Sequence, residues 1–325
     1  MNRCVCRQPV LLLALTVAGI SPACREQDRD PNTVTLGVSM ASFTAPYASA
    51  TVREFKRYAR EKDIDLLLLN SQQDIQREAF NIDTLVSRKV DALLVNVVDS
   101  KGSRAAVKKA AEKGLAVLCF NSNVDSPESL GVRAYTGPQY YDQGAMAARV
   151  AGRLKPGGKA VIITGTPGYS PTHDREKGFT DTLARESPGI QVLDIQPAHW
   201  MRENAQRLMS DFISRYGKEI DIVYSQDDNM TAGAVNALRT AGYTPASKPT
   251  VISIGAMADG LPLVKEGWID STILQSPRED CRLAVDTALA ILEGRQTEPF
   301  RNYFMEARPV DQSNVQEVID MRLWD

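Results

Sequence analysis

Apolar residues fall along the chain in two alternating rhythms. Short runs in which nearly every position is apolar predict strands, and longer stretches with apolar residues every three to four positions predict amphipathic helices. The first series predicts strands over residues 34–39, 64–69, 92–96, 115–120 and 132–135, with helices over 46–62, 75–86 and 103–113 between them. In the first helix Val52, Phe55 and the pair Tyr58/Ala59 share one face. The rhythm then restarts. Helices over 141–154, 175–185, 203–215, 230–241, 260–266 and 281–292 alternate with strands over 160–164, 192–195, 220–224, 251–254 and 271–274. The run 64–69 is apolar on both faces, as in a parallel strand buried on both sides. Strands alternating with helices imply parallel sheets covered by helices on both faces. Two such series predict an α/β chain of two doubly wound parallel-sheet lobes. Open parallel sheets bind ligands outside the carboxyl ends of their strands, so two facing lobes would hold a ligand in the cleft between them.

The start of the chain breaks this pattern. Arg3 and Arg7 are the only charges before residue 25, and residues 10–20 are apolar apart from Thr16. Ser21-Pro22-Ala23-Cys24 follows. A basic start, an apolar stretch and small residues before the cut define a secretory signal, here residues 1–23. Cleavage before Cys24 is also the cut of a lipoprotein signal, so Cys24 is expected to carry lipid; the alternative is plain soluble export. Residues 24–32 form a polar linker. Cys4 and Cys6 leave with the signal. Cys119 lies in an apolar run and Cys281 in a helix, which fits buried free thiols, while an oxidising compartment also permits a bond between them.

Composition narrows the function classes. The 325 residues are 43% apolar and 24% charged, with a formal net charge of −2. That is a globular composition without the basic surplus of a general nucleic-acid binder. With 2 histidines and 5 cysteines, few ligands exist for a transition metal; neither metal nor cofactor is expected. Catalytic signatures are weak. No G-x-G-x-x-G follows the first strand and no G-x-S-x-G occurs. Gly165-Thr166-Pro167-Gly168 lacks the Lys-Ser/Thr of a P-loop, and His173-Asp174 has no identified nucleophile. Asp227-Asp228-Asn229 could hold a cation, but it precedes a helix, where Asp and Asn are ordinary caps. The chain is therefore expected not to be an enzyme.

What stands out is a set of polar and aromatic residues directly after the strands. Ser39, Phe43 and Tyr47 follow the first, and Asn121, Ser122 and Asn123 follow 115–120. His173 and Arg175 follow 160–164, His199 and Trp200 follow 192–195, Asp227 follows 220–224, and Gln275 follows 271–274. Amides, hydroxyls and carboxylates there can hydrogen-bond a polyhydroxylated ligand while a flat ring covers its C–H face. Each has a plainer role available: a turn cap for Ser39, helix capping for Asp227 and Asn229, lobe packing for Trp200, a hinge for Gln275.

Several stretches carry a resemblance: 34–39, Leu69-Asn70-Ser71-Gln72-Gln73-Asp74, Asp91-Ala92-Leu93-Leu94-Val95, Arg175-Glu176-Lys177-Gly178-Phe179, Gln196-Pro197-Ala198, the run 223–234 from Val223 to Ala234, and Thr272-Ile273-Leu274-Gln275. In this order and spacing they resemble the periplasmic sugar-binding proteins of the ribose/galactose type, which deliver ligand to ABC importers; the resemblance covers about residues 33 to 315. It implies a type I periplasmic-binding fold whose lobes close about a hinge of three crossings, near 136–137, 275–276 and 304–305. The N-terminal lobe would comprise 33–136 and 276–304, and the C-terminal lobe 137–275 and 305–325. In the ribose-type pocket Ser39 matches a Ser after the first strand and Tyr47 one of two aromatics. Phe43, in a two-residue insertion, can substitute for the other. Asn121-Ser122 replaces an Asp-Arg pair, His173 replaces a ligand Arg, and Arg175 matches a neighbouring Arg whose role in the family is structural. Trp200 matches the second-lobe aromatic, Asp227 stands for an amide, Gly255 for a hinge-side Asp, and Gln275 matches the last Gln. Loss of the charge-assisted bonds points away from ribose itself, towards another pentose or hexose, a polyol or a larger glycoside, all neutral. The implied partner is an ABC permease, with a sensor kinase or chemoreceptor as the alternative. The protein would be a periplasmic monomer that touches the membrane only through a lipid anchor. A repressor sensor domain shares this fold but needs an N-terminal DNA-reading helix-turn-helix, which residues 1–32 do not supply.

Overall fold

A computed structural model describes residues 33–324. The expectations for residues 1–23, for Cys24 and for the linker 24–32 lie outside the described residues. The chain begins with β1 (Thr35–Met40), α1 (Pro46–Glu61), β2 (Asp65–Asn70), α2 (Ile75–Ser87), β3 (Ala92–Asn96), α3 (Arg104–Glu112), β4 (Ala116–Phe120) and β5 (Ala134–Gly137). It continues through α4 (Tyr140–Leu154), β6 (Gly158–Thr164), α5 (Ser170–Glu186), β7 (Ile190–Pro197), α6 (Arg202–Tyr216), β8 (Ile222–Ser225) and α7 (Asp228–Thr240). Then come β9 (Thr250–Gly255), α8 (Gly260–Lys265), β10 (Ser271–Leu274), α9 (Pro277–Leu292), β11 (Arg301–Phe304), β12 (Pro309–Val310) and α10 (Val315–Asp320).

The strands form two sheets, ordered β11-β5-β4-β3-β1-β2 and β12-β10-β9-β8-β6-β7. Every pairing is parallel except β10 with β12. This is the two-lobed α/β architecture of the type I periplasmic binding proteins. The chain passes between the sheets three times: β5 belongs to the first sheet while α4 packs on α5, β9 and β10; β10 belongs to the second while α9 packs on α1, β4 and β5; and β11 is followed by β12 of the second sheet.

The central strands of each sheet are buried on both faces, as the parallel arrangement requires. In the first lobe Leu94 and Leu118 pack with Phe55 and Cys281 on one face, and Leu93, Val117 and Cys119 pack with Ile82 and Leu85 on the other. Cys119 and Cys281 thus lie on opposite faces and are both free, which removes the disulfide alternative. The second lobe repeats the pattern, with Phe212 and Met209 on one face and Phe179 stacked on Tyr224 at 4.0 Å on the other. β2 departs from expectation: its apolar residues are only half-buried, because it is an edge strand and α1 and α2 do not fully cover it. β11, β12 and α10 carry no clear apolar rhythm and were not anticipated by the pattern.

Two glycines hold α4 against α5. A Cβ at Gly144 would sit 2.2 Å from the Arg175 carbonyl oxygen, and one at Gly178 would sit 2.0 Å from that of Tyr141. Backbone contact this close is available only to glycine, and it brings Gln143 of α4 within hydrogen-bonding distance of Arg175 of α5.

Candidate functional site

The carboxyl ends of both sets of strands face one cavity of about 290 Å³. The first lobe lines it with Tyr47, Gln73, Asn96, Asp99 and Asn121; the second with Thr166, Tyr169, Arg175, Trp200 and Asp227; Tyr140 and Gln275 flank two of the crossings. The lobes also touch beside the cavity. Ser100 N–H donates to the Gly168 carbonyl at 3.1 Å, Asn123 N–H to Ser170 Oγ at 3.0 Å, and Asn96 Nδ2 to Tyr169 Oη at 2.7 Å.

Asn121 is the hub on the first-lobe side. Its backbone is left-handed, with φ 57°, a conformation Asn tolerates better than most residues. The turned backbone lets its carbonyl accept from the Tyr140 hydroxyl, while its Nδ2 donates to Asp280 Oδ2 at 2.8 Å. The same Asp280 oxygen accepts from the Tyr47 hydroxyl at 2.9 Å. Asp280 is wholly buried in the first turn of α9, and burial pushes its carboxyl up to about 7.

Arg175 dominates the second-lobe side. It is 4% exposed and its guanidinium is held by neutral oxygens. Nε and Nη2 donate to Gln143 Oε1 at 3.0 and 2.8 Å, Nη1 to the Gln226 carbonyl at 2.8 Å, and Nη2 also to Gln275 Oε1. The ring of Tyr140 lies 4.9 Å below its Cζ, a cation–π contact. Beside it Asp227 caps α7, its Oδ1 accepting from Met230 N–H at 2.7 Å. Burial and the neighbouring Asp228 push the Asp227 carboxyl up to about 7. Asp228 faces away from the cavity and ties the loops together, accepting from Thr272 Oγ1 at 2.7 Å, Met257 N–H at 2.6 Å and Ser253 Oγ.

Trp200 sits on a strained turn, with φ of 56° at His199 and 62° at Trp200. Asn229 Nδ2 holds that turn by donating to the Trp200 carbonyl at 2.9 Å. The indole packs edge-on to Tyr169 at 6.2 Å and lies directly over Gly165, where a Cβ would come within 1.9 Å of Trp200 Cζ2.

Of the ten residues picked from the sequence, the structure brings Tyr47, Asn121, Arg175, Trp200, Asp227 and Gln275 to the cavity wall. The other four do not reach it. β1 runs one residue further than expected, so Ser39 is fully buried and meets Ser71 Oγ at 3.2 Å, while Met40 and Ala41 take the wall. Phe43 packs into the first-lobe core. Ser122 turns inward, bonded to the Val97 carbonyl at 2.9 Å and to Asn96 at 2.7 Å. α5 starts five residues earlier than predicted, which places His173 inside a helix, about 200° around the axis from Arg175. Its side chain is 73% exposed and pairs with Asp174 at 3.0 Å. His199 is exposed as well. Sequence reasoning missed Asn96, Tyr140, Tyr169 and Asp280. Asn96 ends a predicted strand, and the rule that found Asn121 would have found it. Tyr169 lies in a loop and Asp280 in a helix, where no pattern marks them. Among the described residues no cluster of His, Cys, Asp and Glu could hold a metal ion, and no helix is long and apolar enough to cross a membrane.

Two doubly wound lobes, three crossings and a cavity whose mainly apolar wall carries polar groups from both lobes define a cleft-type solute-binding protein. The chain belongs to the family described as the periplasmic binding protein domain, whose model matches residues 36–296. It is 29% identical over 304 residues to a xylitol-binding protein of Mycolicibacterium smegmatis, covering 93% of this chain and 84% of that protein. It is 29% identical over 290 residues to a putative rhizopine-binding protein of Rhizobium meliloti, covering 87% of this chain and 92% of the relative. Among solved structures, an ABC transporter solute-binding protein of Bacillus halodurans with bound myo-inositol superposes with a TM-score of 0.80 at 25% identity, over 89% of this chain and 98% of the other.

Proposed function

We propose that this protein is a periplasmic receptor that captures a neutral sugar or polyol between its lobes and delivers it to an ABC importer. The observation that carries the reading is the convergence of hydrogen-bonding groups and an indole, from both lobes, on one small cavity. Its volume of about 290 Å³ lies just under the range of ordinary ligand pockets, roughly 300–1,000 Å³. That suits a single ring or a short polyol and disfavours a larger glycoside. Names of relatives that specify xylitol and ribose support the same ligand class. Nothing in the cavity pairs a nucleophile with a base, and the family is one of binding proteins, so reversible capture without turnover is the expected chemistry. Tyr47 and Asn121 from one lobe, and Arg175, Trp200 and Asp227 from the other, with Gln275 at a crossing, are the proposed ligand contacts. Binding groups on both lobes stabilise the closed form in proportion to their preference for it. The protein acts as an exported monomer, anchored by lipid at Cys24.

Thermal denaturation in the presence of pentitols, inositols, pentoses and hexoses tests the reading. At least one should raise the melting temperature in a concentration-dependent way, and a flat response across the panel would overturn it. Stimulation of the ATPase of the reconstituted cognate transporter by the loaded protein tests delivery against a sensing role. Mass spectrometry of the mature amino terminus tests the anchor.

A further inference from the structure

We propose that Asp280, which lies outside the cavity wall, is a positioning residue that fixes which hydrogen-bonding faces Tyr47 and Asn121 offer to the ligand. The inference rests on the reading of the cleft as a sugar or polyol site.

Asp280 stands five residues beyond Gln275, just after the chain crosses from the second sheet to the first. It is fully buried. Both of its donors, the Tyr47 hydroxyl at 2.9 Å and Asn121 Nδ2 at 2.8 Å, share Oδ2. Its Oδ1 is buried with no hydrogen-bond partner among the described residues. A carboxyl held this way is costly, because an unsatisfied buried oxygen opposes folding. A residue that only filled space there would be apolar, so the cost points to a task.

The two donors define that task. A phenol has one proton. With that proton committed to Asp280, Tyr47 meets the cavity as an acceptor. The Asn121 amide commits one of its two N–H groups to the same oxygen, which fixes the amide's orientation and leaves one N–H for the cavity that both side chains line. Asn121 Oδ1 is occupied from the other side by the Tyr169 hydroxyl at 3.3 Å. One acceptor and one donor side by side match a hydroxyl group, which both donates and accepts. Without Asp280 the phenol proton is free to rotate into the cavity and only the longer Tyr169 bond still orients the amide, so the polarity of this wall is less sharply defined.

The shared oxygen makes the test selective. In Asp280→Asn a carbonyl can replace Oδ2 while the new amide takes the place of the unpartnered Oδ1. In Asp280→Ala no acceptor remains. Calorimetry is run with xylitol, myo-inositol and D-ribose on the full mature protein. Asp280→Asn should bind the best of these close to wild type, and Asp280→Ala should bind it roughly tenfold or more weakly, the effect of one mismatched hydrogen bond to the ligand. Equal binding by Asp280→Ala and wild type overturns the proposal, as does loss of binding in a folded Asp280→Asn. A ligand-free arm stands apart from the sugar reading. Melting temperatures of Tyr47→Phe, Asp280→Ala and the double variant should be non-additive, because the two residues share a bond; additive effects overturn the proposal. If wild type binds none of the three probes, the reading of the ligand class is what has failed, and this cycle decides the positioning role. Should Asp280→Ala not fold, Tyr47→Phe alone decides: an unchanged ligand-free melting temperature overturns the bond on which the proposal rests.

Discussion

The segment after α10 offers a direct handle on lobe closure. α10 is rooted in the second lobe, with Val315 and Val318 in its core. Trp324 Nε1 donates to the Ala256 carbonyl of the same lobe at 2.7 Å. The indole then reaches across to the first lobe, where it meets the Tyr47 ring edge-on at 5.8 Å and 70°. Its carbonyl oxygen accepts from Arg53 Nη2 at 3.3 Å. Trp324→Ala removes the indole but leaves the backbone contact to Arg53. The bond to Ala256 lies within one lobe and is worth about 1 kcal/mol to the stability of that lobe. The ring pair with Tyr47 lies between lobes and is worth roughly 0.5–1.5 kcal/mol; only this part biases closure. The closed form should therefore lose about 1 kcal/mol relative to the open one, which is close to a fivefold weaker ligand affinity when the free protein is mostly open. Calorimetry with the tightest-binding polyol, stopped-flow release rates and ligand-free melting on the same variant give the three numbers needed. Faster release and weaker affinity with a small drop in melting temperature are expected. A clear drop in melting temperature with unchanged affinity and release would refute the reasoning and assign Trp324 to packing within the second lobe.

Three further outcomes are expected. Burial pushes Asp227 up to about 7, whereas the unfolded carboxyl titrates near 3.9. The folded protein therefore holds a proton that the unfolded chain has lost; the stability this provides is fully present below about pH 4 and is lost as pH rises through about 7. Asp227→Asn should lessen the fall of ligand-free melting temperature between about pH 4 and pH 7, a fall to which Glu78, Asp228 and Asp280 also contribute, and a profile parallel to wild type would count against the buried, proton-bearing Asp227. In Gly165→Ala the new Cβ would lie 1.9 Å from Trp200 Cζ2, so the indole must leave its seat. Tryptophan fluorescence should shift and ligand affinity should fall by more than about 1 kcal/mol, as for loss of a buried aromatic anchor; unchanged affinity would place Trp200 outside the contact surface. Cys119 and Cys281 are fully buried, with burial pushing the Cys119 thiol up to about 12 and the Cys281 thiol higher still. Neither should react with iodoacetamide in the native protein, and both should once it is denatured, as read by peptide mass spectrometry.

Much of the fold was legible because parallel strands buried on both faces leave a dense apolar signal, as in Leu93-Leu94-Val95 of β3, which feeds both cores of the first lobe. β2 gave the same signal from an edge position, because local pattern says nothing about sheet order. Residues of the cavity wall were legible where a polar residue stands at or just past the end of its strand, as Asn121 and Asp227 do. It was misread where one residue of strand length or one turn of helix decides the direction of a side chain. Ser39 turned inward because β1 reaches Met40, and His173 turned to solvent because α5 begins at Ser170. Asp280 could not be read at all, since nothing in a helix sequence says which strand ends it will meet in space.

The electrostatics of the cavity bear on the ligand's charge. Arg175 makes no ion pair among the described residues; its guanidinium is held by the Gln143, Gln275 and Gln226 oxygens. Asp227 and Asp280 lie on the other sides of the site, bonded to neutral donors, with carboxyls that burial holds near 7. A buried ion pair would satisfy these groups on one another and leave little for a ligand. Kept apart and propped by neutral partners, Arg175 and Asp227 offer directional hydrogen bonds without giving the cavity a field of one sign. An anionic ligand would meet Asp227, and a cationic one would meet Arg175. A neutral polyol can donate to the first and accept from the second, so the arrangement favours it. The sequence had suggested that strong grips were lost when Asn121 replaced the expected acid. In the folded chain a carboxyl stands behind Asn121 instead, at Asp280, where it acts on the ligand only through the amide it holds.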